Sequence, residues 1–112
     1  MRTRRLNSDH VIKKAREFSA LFTEGRRLSS AHFVIFTKEG KGLRFGFAAS
    51  RRFGKAVTRN RAKRRLREII RLHIESLPKK GHLMFLAKPG VERLPFNQLE
   101  AELCSLLQRV KA

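Results

Sequence analysis

Apolar residues recur along the chain with three different periods, and each period predicts a different kind of element. Between residues 9 and 22, Val11, Ile12, Ala15, Phe18, Leu21 and Phe22 fall at helical spacing. Ser8 or Asp9 can cap the start of that helix and Gly25 can end it. The stretch 32–37, His-Phe-Val-Ile-Phe-Thr, is β-branched and aromatic and predicts a strand. After the turn 39–42, Leu43, Phe45, Phe47 and Ala49 alternate with Arg44, Gly46, Ala48 and Ser50, the period of a half-buried strand. With so short a turn between them, the two strands are expected to form an antiparallel hairpin. Residues 26–30 predict a further short strand. A long helix is expected over 57–77, ended by Pro78 and Gly81, then a short buried strand over 82–87. Phe96, Leu99, Leu103, Leu106, Leu107 and Val110 mark a final amphipathic helix. The order α-β-β(-β)-α-β-α specifies an α+β fold, a two-layer sandwich of helices on a small mixed sheet.

A chain of 112 residues with no internal repeat or linker is one domain, with residues 1–8 expected as a flexible basic arm. Charge then narrows the field of partners. Twenty-seven Lys and Arg stand against 9 Asp and Glu, a formal net charge of +18. Self-repulsion on that scale calls for a polyanionic partner, either nucleic acid or an anionic membrane surface. The longest apolar runs, around 32–36 and 83–87, fall far short of the ~20 residues of a spanning helix. The basic N-terminus has no apolar segment of the kind a secretory signal carries. Cys104 is the only cysteine, which excludes an internal disulfide and a cysteine-based zinc cluster. Its place among leucines suits a buried structural thiol, and a cytoplasmic location is expected.

Residues 51–71, RRFGKAVTRNRAKRRLREIIR, hold ten Lys or Arg and one acid, Glu68. At roughly 100° per residue, Ala62, Leu66, Ile69, Ile70, His73 and Leu77 fall in one arc. Asn60, Arg61, Arg64, Arg67 and Arg71 fall opposite, as an outward guanidinium array. A solvated helix face usually mixes signs, because like charges at i,i+4 repel. Arg67 and Arg71 stand four apart with no acid on that line, a cost that a phosphate partner removes. Arg59 and Arg61 near the helix start oppose its dipole unless a phosphate sits there. Arg59 shares the angular side of Leu66 and Ile70 and is expected to project toward the end of the sheet. Leu72 and Ile74 lie outside the apolar arc without explanation.

A catalytic constellation is not visible. Asp9 is the only aspartate, the glutamates are scattered, and His10, His32, His73 and His82 lie in different elements. A protein nuclease needs clustered carboxylates for metal ions or a paired acid and base. No catalytic residue and no metal ligand is therefore assigned. His73, on the apolar arc, is expected to be a satisfied core histidine.

The stretch 54–68, GKAVTRNRAKRRLRE, closely resembles the signature of the bacterial ribonuclease P protein family, centred on Arg59-Asn60-Arg61 and followed by Lys63-Arg64. Around it the pattern extends through Glu17-Phe18, Phe22, Gly25, Phe33 to Phe36, Gly46, Ser50-Arg51-Arg52 and Ala87-Lys88-Pro89. The resemblance implies a left-handed β-α-β crossover, against the right-handed rule. It implies a protein subunit that binds a catalytic RNA and the 5′ leader of precursor tRNA, one protein per RNA. Hydrolysis would be carried by the RNA, with Mg²⁺ in the RNA-containing holoenzyme and no cofactor on the protein itself. Arg51, Arg52, Lys55, Arg59, Asn60, Arg61, Lys63, Arg64 and Arg67 are the RNA-binding residues it implies. Phe18, Phe22 and Phe36 match its leader cleft, although phenylalanines at i,i+4 also suit a core. Phe36 stands where the family often has tyrosine, and Lys55 where some members have asparagine. The alternative is a ribosomal or other structural RNA-binding protein; a free-standing nuclease is disfavoured by the missing carboxylate cluster.

Overall fold

The structure, a computed structural model, describes residues 25–111. The helix expected over 9–22, with Phe18 and Phe22, lies outside the described residues. Four strands, β1 (Arg26–Ser29), β2 (Phe33–Lys38), β3 (Leu43–Ala49) and β4 (Gly81–Ala87), form one mixed sheet. Helix α1 (Ala56–Leu72) connects β3 to β4, and helix α2 (Phe96–Lys111) follows the sheet. Short 3₁₀ turns occupy Arg51–Phe53, Ile74–Ser76 and Val91–Arg93.

The sheet order is β1-β2-β4-β3, which corrects the expected hairpin. β4 inserts between β2 and β3, antiparallel to the first and parallel to the second. The reason lies in burial. Leu83, Met84 and Phe85 are fully buried, so β4 has apolar side chains to cover on both faces and belongs inside the sheet. β1, with exposed Arg26 and Arg27, and β3, with Arg44 among small residues, suit the edges. The glycine turn that seemed to close a hairpin instead accepts a neighbour: the Gly81 N–H donates to the Gly42 carbonyl at 3.2 Å.

One face of the sheet carries the main core. Phe33, Ile35, Phe45, Leu83 and Phe85 meet Ala62, Leu66, Ile69 and Ile70 of α1 and Leu99, Leu103, Leu106 and Leu107 of α2. The other face carries a smaller cluster of Val34, Phe36 and Met84, with Ala48 and Leu86 beside it. Both faces follow directly from the two-residue alternation of the strands.

Helix α1 is shorter than expected. Pro78 forces the residue before it out of helical geometry, and Leu77 is extended at φ −73°, ψ 153°. His73 closes the helix by donating its backbone N–H to the carbonyls of Ile69 and Ile70, and a 3₁₀ turn bridges the gap. This explains the two residues outside the apolar arc. Leu72, in the last turn, stays 49% exposed, whereas the 3₁₀ turn rotates Ile74 against the core.

Polar contacts fix α2 to the sheet. Glu102 accepts from the Ser30 hydroxyl and from the His32 backbone N–H (2.7 Å), and its other oxygen lies 2.7 Å from His32 Nδ1. Arg26 donates to the Arg109 carbonyl (3.1 Å), and Arg109 donates to the Ser29 carbonyl (3.3 Å). The connection after β4 turns at Gly90, whose φ of 107° and proximity to the His32 ring both favour glycine.

Candidate nucleic-acid interface

Helix α1 starts abruptly. Its N-cap, Lys55, is extended (φ −95°, ψ 136°), the Lys55 side chain makes no capping hydrogen bond, and the first turn holds no acid. The first N–H groups and the positive end of the helix dipole therefore meet Lys55 and Arg59 with nothing negative supplied by the helix itself. Such an end has the donors and the field to hold a phosphate.

The side chains of this segment differ in what they touch. Asn60, Arg61 and Arg64 are exposed, as are Arg52 and Lys55 ahead of the helix. Arg59 and Lys63 are half-buried, and the buried Nε of Arg59 has no hydrogen-bond partner among the described residues. That placement follows from the position of Arg59 on the same side as Leu66 and Ile70. Arg51 lies in the 3₁₀ turn that leads into the helix, where the Ser50 hydroxyl accepts the Arg52 N–H at 3.2 Å.

Two arginines are occupied by the protein. Arg65 turns back and donates through Nη1 to the carbonyls of Val91 (3.3 Å) and Leu94. Arg71 pairs with Glu68 at 3.2 Å, one helical turn apart. The acid absent from the i,i+4 line is thus supplied at i,i+3, and the like-charge cost at Arg71 is partly compensated within the helix. Arg67 is exposed, but its guanidinium carbon lies 5.9 Å from the centre of the Phe47 ring on β3.

The opposite face of the sheet shows a feature that sequence reasoning missed. Lys38 pairs in register with His82, and His82 with Arg44. Directly paired residues point to the same side, so these three form a row of basic side chains across β2, β4 and β3. Phe36 lies on that face too, in register with Arg27 on one side and Met84 on the other. Gly40 makes room for the row: a side chain there would come within 2.7 Å of the His82 ring. Arg44 stood out in the alternation of β3, but the row exists only because β4 sits in the middle. Phe36 is 9% exposed and packs with Val34 and Met84. Its relation to Phe18 and Phe22 lies outside the described residues.

The described carboxylates are largely committed to structure. Besides Glu68, Glu92 accepts the Gly90 N–H (2.7 Å), Glu100 lies 2.7 Å from His73 Nε2, and Glu102 holds Ser30 and His32. Burial pushes the Glu102 carboxyl up, but the hydrogen bonds from Ser30 and His32 and the charge of His32 outweigh it and bring it below the ordinary carboxylate value. His73 is therefore a satisfied histidine at the helix end. Cys104 is half-buried, and burial, reinforced by Glu100, raises its thiol pKa, which disfavours the reactive thiolate. Among the described residues, no group of three or more His, Cys, Asp or Glu side chains gathers as a metal site. No helix among them is long and apolar enough to cross a membrane.

Comparison with known proteins places this arrangement. The family model for ribonuclease P matches residues 6–111. The ribonuclease P protein component of a Nitratiruptor species is 38% identical over 101 residues, covering 90% of this chain and 92% of the relative. That of Desulfovibrio desulfuricans is 42% identical over 105 residues, covering 88% and 81%. Among solved structures, the RNase P protein of Staphylococcus aureus superposes with a TM-score of 0.79 at 26% identity, covering 91% of this chain and 95% of that one. The RNase P protein of Thermotoga maritima gives 0.78 at 31% identity, covering 88% and 94%.

Proposed function

Because the chain belongs to the ribonuclease P protein family and is the protein subunit of that tRNA-processing enzyme, we propose that it acts through two RNA surfaces on opposite sides of its sheet. The first is helix α1 with the turn before it. Arg51, Arg52, Lys55, Arg59, Asn60, Arg61, Lys63, Arg64 and Arg67 hold phosphates of the catalytic RNA, with a phosphate at the helix start. Arginine suits this task because its planar fork binds phosphate oxygens two at a time. The second surface is the other face of the sheet, where Phe36, together with Phe18 and Phe22, takes the unpaired 5′ leader of precursor tRNA. The basic row Lys38–His82–Arg44 runs across that face and offers charge to the leader backbone.

In this reading, phosphodiester hydrolysis belongs to the RNA, which also holds the Mg²⁺ of the complex, and one protein assembles with one RNA in the cytoplasm. The observation that carries it is the commitment of charge. Arg61, Arg64 and Arg67 of α1 are exposed, as are Arg52 and Lys55 before it, whereas Glu92, Glu100 and Glu102 are tied to the protein's own loops and histidines. This surface thus offers charge to RNA, and these three acids are engaged elsewhere.

The experiment is reconstitution. With a bacterial ribonuclease P RNA transcript, the protein should lower the Mg²⁺ concentration needed to remove a 5′ leader, and the protein alone should cleave nothing. Mg²⁺-dependent leader cleavage by RNA-free protein, surviving nuclease pretreatment, would overturn this reading.

A further inference from the structure

Arg67 differs from the other outward cations of α1 in having an aromatic seat. Its guanidinium lies 5.9 Å from the centre of the Phe47 ring, within the range of a cation–π contact. The ring is itself held in place. Phe47 is in register with Phe85 on the parallel neighbour, and the two rings stack at 5.8 Å with 22° between their planes. Phe45, two residues earlier on β3, meets Phe47 edge to face at 5.8 Å. Phe45 and Phe85 are fully buried, so Phe47 is an extension of the core that reaches the edge of the sheet.

An unsupported arginine samples many rotamers and loses that freedom when it grips a phosphate. An arginine lying against a fixed ring has lost part of it beforehand. Its N–H groups remain available, since a ring face takes the cation's charge without accepting its hydrogen bonds in the plane of the fork. We infer that Phe47 is a positioning residue for RNA recognition, presenting the Arg67 guanidinium to a phosphate beside the β3 edge. RNA bound along α1 therefore also passes this edge of the sheet, beyond the helix face itself. The inference rests on the reading that α1 binds RNA, and it assigns a role to a residue that carries no charge and no hydrogen-bonding group.

The test is a double-mutant cycle read as affinity for a ribonuclease P RNA transcript. Phe47→Leu keeps an apolar side chain at the sheet edge but removes the ring, and Phe47→Tyr keeps the ring. Thermal melts establish that each variant is folded. Phe47→Leu should weaken RNA binding by about two- to five-fold in the otherwise unaltered protein, the scale of an exposed cation–π contact. In an Arg67→Gln background the same change should have no further effect, and Phe47→Tyr should bind as the unaltered protein does. A purely structural role would lower affinity equally in both backgrounds, and that result would overturn the inference. So would unchanged affinity in Phe47→Leu alongside a loss in Arg67→Gln, with the RNA-binding reading left standing. Absence of salt-sensitive RNA binding by the unaltered protein would overturn both.

Discussion

Glu102 grips His32 at two points, with one carboxylate oxygen 2.7 Å from the ring Nδ1 and the other accepting the backbone N–H at 2.7 Å. The Ser30 hydroxyl adds a third contact, so a single side chain of α2 fixes the whole turn between β1 and β2. The turn and the helix are seventy residues apart in sequence, and this is one of the few polar contacts that join them.

The pH dependence of stability follows from that grip. The folded pKa of Glu102 is depressed relative to the ordinary value of 4.5. Its stabilising contribution is therefore fully present above that value and is lost as pH falls through the lower, folded one. Glu102→Gln should lower stability at neutral pH by about 1.5–3 kcal/mol, the scale of hydrogen bonds to a charged group. The difference from the unaltered protein should shrink in acid, below pH 4.5. Thermal melts from neutral pH into acid would show two curves converging; a constant gap would mean that ionisation of Glu102 contributes nothing.

Arg65 supplies the converse case of a cation in the basic helix that serves the fold. Its donors are spent on the carbonyls of Val91 and Leu94, which fixes the 3₁₀ turn leading to α2. Arg65→Met preserves the aliphatic stem and removes those donors, leaving two carbonyls to find water. A stability loss of about 1–3 kcal/mol is expected. The salt dependence of RNA binding should stay as in the unaltered protein, because this charge faces the protein. A reduced salt slope in Arg65→Met would place Arg65 on the RNA instead.

How far such roles are legible in sequence depends on whether they are local. The α1 face was legible because helical periodicity alone sets Leu66 and Ile70 on one side and Arg61 and Arg64 on the other. Among the described residues, the four strands and two α-helices followed from local patterns in the same way. The order of strands did not, because a hairpin and an inserted β4 satisfy the same alternation in β2 and β3. Only the two-sided burial of Met84 and Phe85 decides between them. Everything that depends on that order was hidden with it, including the Lys38–His82–Arg44 row and the Phe47–Phe85 stack. Arg65 falls outside the outward arc that holds Arg64, but what it does instead was hidden; its partners are backbone carbonyls, which carry no sequence signature.

Phe36 has both a packing role and a proposed RNA role, and two substitutions separate them. At 9% exposure it fills the space beside Val34 and Met84. Truncation by Phe36→Ala should cost about 3–5 kcal/mol of stability, which would obscure any effect on RNA. Phe36→Leu keeps most of the volume and should cost less than about 1.5 kcal/mol. If the ring also stacks on a leader base, Phe36→Leu should weaken binding of leader-bearing tRNA by about 1–3 kcal/mol. Binding of tRNA without a leader should not change. Equal effects on both substrates would confine Phe36 to the core.

The outward cations make the most quantitative prediction, because their contribution is counted in released ions. A side chain that neutralises one phosphate releases condensed counterions, and binding weakens linearly with the logarithm of salt in proportion to the contacts made. Arg61 and Arg64 are both exposed, and among the described residues neither has a partner comparable to the Glu68 of Arg71 or the carbonyls of Arg65. Replacing either by glutamine should reduce the magnitude of the salt slope by about one, and replacing both should reduce it by about two. Thermal stability should hold to within about 0.5 kcal/mol, because no packing is disturbed. The measurement is a titration of a labelled ribonuclease P RNA transcript across a series of monovalent salt concentrations. Parallel lines for the unaltered protein and the double variant would show that these guanidinium groups face solvent in the complex. A reduced slope with an unchanged melt would place each of them on a phosphate.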